Sequence, residues 1–182
     1  MIISGIGSRK TPSNILTSMT CIGQWCRDHG IYVFSGHADG ADYAFEKGAQ
    51  ENCVTFLPWK GFNSKLESFG TQYIHNPGSD RKYSSSYADA LVDKYHPNPS
   101  RLSRGARLLM ARNSYQVLGP TMQIPVSAVV CWTHGGKIAG GSGQAMRIAT
   151  AYKIPIYNLY SMSCGDVITK LDNLLKGESH GS

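Results

Sequence analysis

Acid is scarce in this chain: 12 Asp and Glu stand against 18 Lys and Arg in 182 residues, a formal charge of +6. The excess of base favours an anionic partner, either nucleic acid or a phosphorylated metabolite, and fits an ordinary solvated surface equally well. Long apolar runs are also absent. No stretch of about 18 apolar residues occurs, so no membrane partner is expected. Met1-Ile2-Ile3-Ser4-Gly5 enters a strand pattern directly, without the basic and apolar segments of a signal peptide, so a cytoplasmic protein is expected. The five cysteines form no CxxC pair, and their number is odd. That argues against a disulfide framework and against zinc, and predicts reduced, buried thiols. Two phosphate-binding signatures are missing as well. GxGxxG with an acidic residue some 20 positions on, and GxxxxGK[ST], do not occur, which disfavours an NAD-dependent dehydrogenase and a P-loop ATPase. Neither a metal nor a cofactor is expected.

What is present reads as one α/β domain. Hydrophobic residues at 41% with charged residues at 16% are the balance of a globular chain. Residues 2–7 read as a strand and 15–29 as a helix, entered through Thr11-Pro12-Ser13. A strand at 31–34, a helix at 41–52 and a strand at 54–57 follow. Alternation then fails over residues 60–120, read as an insertion between the third and fourth strands. It holds a short helix near 87–95 and a helix over 101–117 capped by Ser100. A buried strand at 125–132, a glycine turn with a helix over 140–153, a strand at 154–159 and a helix at 166–175 complete the order. Residues 177–182 are expected to form a disordered tail. Strands separated by helices predict a Rossmann-like parallel sheet covered on both faces, one domain spanning 1–176.

Three strand-to-helix junctions carry unusual residues: Gly5-Ile6-Gly7-Ser8-Arg9, Ser35-Gly36-His37-Ala38-Asp39-Gly40-Ala41-Asp42, and Gly140-Gly141-Ser142-Gly143-Gln144. In a parallel sheet such junctions share the carboxyl end of the strands, where ligands bind. Glycine lets backbone N–H groups approach a phosphate, and the following helix adds unpaired N–H groups and its positive dipole end. Any one of these loops is explained by tight turning alone. Three together point to phosphate recognition.

These residues resemble the superfamily that joins the DprA/Smf DNA-processing proteins with the LOG phosphoribohydrolases, often called SLOG. The loop from Ser35 to Asp42 is similar to the DprA-type SGxAxGxD, and Gly140 to Gln144 is similar to the GGxGT loop of the LOG branch. Arg112-Asn113 stands where the DprA branch has an Arg-Asn pair. The likeness is greatest to small phage-encoded DprA-like members, which would place the protein in a host cytoplasm. The resemblance implies strand ends that bind nucleotides. Known branches cleave nucleoside monophosphates, bind single-stranded DNA, or sense nucleotide signals in bacterial immunity. One departure matters. The LOG pattern PGGxGTxxE places a glutamate where this chain has Arg147, and its proline where this chain has Ala139. Losing that carboxylate removes the group that would support glycosidic hydrolysis.

Individual side chains leave alternatives open. Asp39 and Asp42 would bind ribose hydroxyls or a water, or Asp42 would cap the next helix. Glu46, four residues on, faces the same cleft or solvent. Asp42 and Glu46 are the weak candidates for any hydrolytic chemistry. Arg9 and Lys10 suit a phosphate, and His37 a base or phosphate. On the helix over 101–117, Leu102, Ala106, Leu109, Met110, Asn113 and Val117 share one side, while Arg101, Arg104, Arg107 and Arg112 spread over the rest. That outer face would meet DNA phosphates, close over a ligand, or be merely solvated. Trp59, Tyr73, Tyr83, Tyr87 and Tyr95 in or beside the insertion would stack on bases, build a satellite core or join subunits. A homo-oligomer is expected. The leading expectation is a protein that binds a nucleotide or nucleotide-derived signal; the alternatives are a single-stranded DNA binder and a nucleotide N-glycosidic hydrolase.

Overall fold

The computed structural model describes residues 1–59, 61–63, 71–74 and 85–179. Among the described residues six strands, all parallel, form one sheet. In chain order they are β1 (Ile2–Gly7), β2 (Tyr32–Ser35), β3 (Cys53–Leu57), β4 (Thr71–Ile74), β5 (Ala128–Trp132) and β6 (Ile156–Asn158), and their spatial order is β4-β3-β2-β1-β5-β6. The helices are α1 (Ser13–Asp28), α2 (Ala41–Ala49), α3 (Ser85–Tyr95), α4 (Arg104–Leu118), α5 (Gly140–Ala151) and α6 (Cys164–Ser179). This is the Rossmann-like α/β architecture that the alternating pattern predicts.

The period-2 rule of a strand sorts the core into two layers. Ile3 of β1, Val33 of β2 and Val130 of β5 pack on α1, α2 and α6, with Met19, Ile22, Phe45, Val167 and Leu171. Ile6, Phe34, Phe56, Val129 and Cys131 point to the opposite face, against Ala88, Leu91, Tyr115, Leu118 and Ile148 of α3, α4 and α5. Strands buried on both faces read as continuous apolar runs, which is why 128–132 stood out in the sequence.

Several local boundaries differ from the sequence expectation. β4 lies inside what reads as an irregular insertion; its TQYI carries no strong apolar run, as suits an edge position. Pro99–Arg101 forms a short 3-10 turn and Leu102 is extended, so α4 begins later, where Ser103 Oγ accepts the Ala106 N–H at 3.3 Å. The Thr11 hydroxyl does not cap α1 but donates to the Ser8 carbonyl at 2.7 Å. α6 runs to Ser179, so residues 177–179 of the expected tail are helical. Tyr83 and residues 180–182 lie outside the described residues. Cys26, Cys53 and Cys131 are buried as expected, but Cys21 is exposed and Cys164 half-buried. Among the described residues no helix is long and apolar enough to cross a membrane.

Candidate functional site

The strand order fixes where a ligand can sit. β2 pairs with one edge of β1 and β5 with the other, so the chain crosses to opposite faces of the sheet on leaving β1 and on entering β5. A crevice opens beyond the carboxyl ends of these two strands, the topological switch point of an open α/β sheet. A cleft of about 510 Å³ occupies it, within the roughly 300–1,000 Å³ of small-molecule sites. Its lining includes Gly7, Ser8, Arg9 and Lys10 after β1, Thr133, His134 and Lys137 after β5, and Gly140, Gly141 and Ser142 at the start of α5. Leu109, Met110, Arg112, Asn113 and Gln116 of α4 form the facing wall. Arg9, Lys10, Arg112 and Lys137 bring positive charge, and Asp42 is the one carboxylate among the described lining residues.

The glycine run at α5 belongs to the helix itself. α5 begins at Gly140 and not near Gln144, because Gly143 N–H already reaches the Ala139 carbonyl at 3.0 Å. Gly140, at φ 63°, makes the entry turn that a side chain would strain. The N–H groups of Gly140, Gly141 and Ser142 precede the first intrahelical donor, so they are available to an anion. Asn113 Nδ2 donates to the Gly141 carbonyl at 2.8 Å and fixes this turn to α4.

The loop after β2 plays a different part. Apart from Asp39, its polar side chains are turned inward. Arg112 is buried, although its helix position suggested an outer basic face; its Nη1 donates to the Gly36 carbonyl and lies 3.4 Å from Asp42 Oδ2. A Cβ at Gly36 would overlap that Nη1, so glycine leaves the room that the guanidinium occupies. Asp42 caps no helix. Its carboxyl lies near enough to the Gly7 and Ala38 backbone N–H groups for them to favour its charged form, and so sits between the loops after β1 and β2 beneath the cleft. Glu46, 1% exposed, faces neither cleft nor solvent: it accepts the His37 backbone N–H at 2.7 Å and meets His37 Nδ1 at 2.8 Å. This double hold keeps His37, buried, at the unfavourable φ of 57°.

The remaining expected ligand residues divide in the same way. Gly5 makes room for the Phe45 ring, and Gly40 for the Ser8 and Arg9 backbone. Ser35 Oγ is turned inward, 3.2 Å from both the Gly5 carbonyl of β1 and the Asp42 carbonyl of α2, and its one proton is shared between them; Ala41 is buried beside Gly7. Asp39 is exposed and outside the cleft lining. Gly143 packs under the Ile138 backbone, and Gln144 points away, its Nε2 donating to the Leu91 carbonyl at 3.3 Å. Arg147 likewise turns to α3, donating to the Tyr95 carbonyl and to Gln144. On the outer face of α4 Arg107 is neutralised, pairing with Asp93 at 2.8 Å and Asp89 at 3.3 Å, while Arg104 is exposed. Gln116, Thr133, His134 and Lys137 were missed. Lys137 and His134 follow a buried strand directly, a position that marks a cleft-facing loop once the sheet is known to be parallel. Among the described residues no three His, Cys, Asp or Glu side chains gather to hold a metal ion.

Burial pushes the Asp42 carboxyl from its usual 3.8 up to about 6; Glu46 adds to the rise, while Arg112 and the two backbone N–H groups oppose it. The folded protein therefore holds this proton where the unfolded chain has released it. The associated stability is full below about pH 4 and is lost as pH rises through about 6. Asp42→Asn is expected to remove this part of the pH dependence. Urea midpoints of both proteins across pH 4 to 7 measure it, and parallel curves would refute the assignment.

No protein-family profile matches the chain, and no curated protein matches it in sequence. Solved structures do match in shape. DNA processing protein A from Helicobacter pylori, described in its single-stranded DNA binding mode, aligns at a TM-score of 0.54 with 15% identity over 87% of this chain. The chain spans 64% of that protein's length. The Moco carrier protein of Chlamydomonas reinhardtii aligns at 0.56 with 14% identity, over 96% of this chain and 97% of the carrier. At such identities the likeness is one of fold: this chain shares the Rossmann-like α/β architecture of a DNA-processing protein and a cofactor carrier.

Proposed function

We propose that this protein binds a phosphate-bearing, nucleotide-derived small molecule in the switch-point cleft and holds it without turnover. The observation that carries the reading is convergence: the open N-terminus of α5 faces the same cleft as Arg9, Lys10, Lys137 and Arg112. The phosphate would take the N–H groups of Gly140, Gly141 and Ser142 and the neighbouring cations. Leu109, Met110 and Ala145 supply an apolar wall for the flat part of the ligand. Absence of turnover is argued from the carboxylates. Asp42 is held beneath Arg112, Glu46 is spent on His37, and Arg147 occupies the place of the LOG glutamate. In a phage setting such binding would withhold a host immune signal, a role that rests on the family resemblance alone.

The shared fold with a single-stranded DNA binder favours a second reading, DNA binding along α4. Its charge is reduced by the pairing of Arg107, so binding there is expected to be weak and to fall steeply with salt. Native mass spectrometry of the freshly purified protein, followed by calorimetry with mono- and dinucleotides, separates these readings. One small anionic ligand per chain, with no free base released, is the expected result. Tight DNA binding that persists at high salt, with no nucleotide bound, would replace the first reading by the second. Robust release of free base would overturn the absence of turnover.

A further inference from the structure

We propose that Cys21 and Cys164 are a reversible disulfide site that clamps the last helix to the first. Although the two residues sit near opposite ends of the chain, the fold brings them together. Cys164 opens α6, and its thiol donates to the Ser18 carbonyl of α1 at 3.6 Å. Cys21 lies one turn further along α1, and helical side chains lean back towards the N-terminus, so its thiol is carried over Ser18. The Cys21 thiol is near enough to Cys164 to act on its titration. They differ from the other three cysteines, which are buried in the core, since Cys21 is exposed and Cys164 half-buried. The helices already pack through Met19 and Ile22 against Val167 and Leu171, so the two sulfurs are held together without further folding.

The chemistry balances with a small disulfide, such as oxidised glutathione, as oxidant. The exposed Cys21 thiolate attacks one sulfur and expels one glutathione thiolate, leaving a mixed disulfide. Cys164 loses its proton, attacks the Cys21 sulfur and expels the second. Two protein thiols give up two protons and two electrons, and the oxidant becomes two thiols. Burial, with the Cys21 thiol beside it, raises the Cys164 thiol to about 11, so closure should quicken as pH rises. The bridge would close most of the chain into one loop, and long loops give the larger stabilisation.

The test is incubation of the full chain with oxidised glutathione, followed by non-reducing peptide mapping and thermal melts. The expected product has lost two hydrogens, links the Cys21 and Cys164 peptides, and melts about 5–15 °C higher. Dithiothreitol should reverse it, and Cys21→Ser and Cys164→Ser should each abolish the link and the shift. A stable glutathione adduct on Cys21 in the wild-type chain, a link to Cys26, Cys53 or Cys131, or a bridged protein that melts no higher would overturn the proposal.

Discussion

Gly141→Asp should abolish ligand binding while leaving the fold at least as stable as before. Gly141 is not in the left-handed region, and a Cβ there would meet Met110 Cε at 3.6 Å and Asn113 Nδ2 at 4.0 Å, both ordinary contacts, so a side chain enters without strain. A carboxylate in the first turn of α5 also lies at the positive end of the helix dipole, which contributes about 0.3–1 kcal/mol of stability. The same carboxylate would sit where the phosphate is proposed to bind. Like charges brought together in a binding site cost several kcal/mol, a loss of affinity of about 100-fold or more. Opposite signs on stability and affinity make the variant informative. Calorimetry with the ligand retained from purification, alongside melting curves, reads both. Unchanged affinity in a folded variant would reduce the glycine run to a turn.

The second large effect is expected at Arg112. Arg112→Met removes a buried guanidinium while roughly keeping its volume, and strands the Asp42 carboxylate beneath the cleft. Breaking a buried pair in this way costs about 3–5 kcal/mol. The loss has a limit, because Asp42, already raised to about 6, can take up a proton once its partner has gone. The destabilisation should therefore be larger at pH 8 than at pH 5. Adding Asp42→Asn removes the stranded charge and should recover most of the stability. Urea unfolding of both single variants and the double completes the cycle. A single-variant loss below about 1 kcal/mol, or no recovery in the double, would show that the pair does not hold the two loops together.

The glycine-rich junctions were legible because turn chemistry is local, but their roles were not. At Gly140 and Gly141 the glycines line the cleft, whereas Gly5 accommodates the Phe45 ring and Gly36 the Arg112 guanidinium. A short loop motif looks the same in both cases, since what fills the space beside it comes from elsewhere in the chain. Asp42 and Glu46 show the same limit. Their spacing places both on one side of α2, yet one is held by Arg112 and the other by His37.

Sequence by itself determined the α/β alternation, the parallel sheet and the glycine-rich ends of β1, β2 and the approach to α5. Hydrophobic period and glycine position act over a few residues, and so can be read directly. Tertiary structure alone decided that Arg112 is buried against Gly36, 76 positions away, that Arg107 is neutralised by α3, and that Lys137 and His134 enter the cleft. It also decided that TQYI would be a strand, paired at the sheet edge with β3. Each of these depends on a partner remote in the chain, and the energy of a charge or an edge strand is set by that partner rather than by its neighbours in sequence.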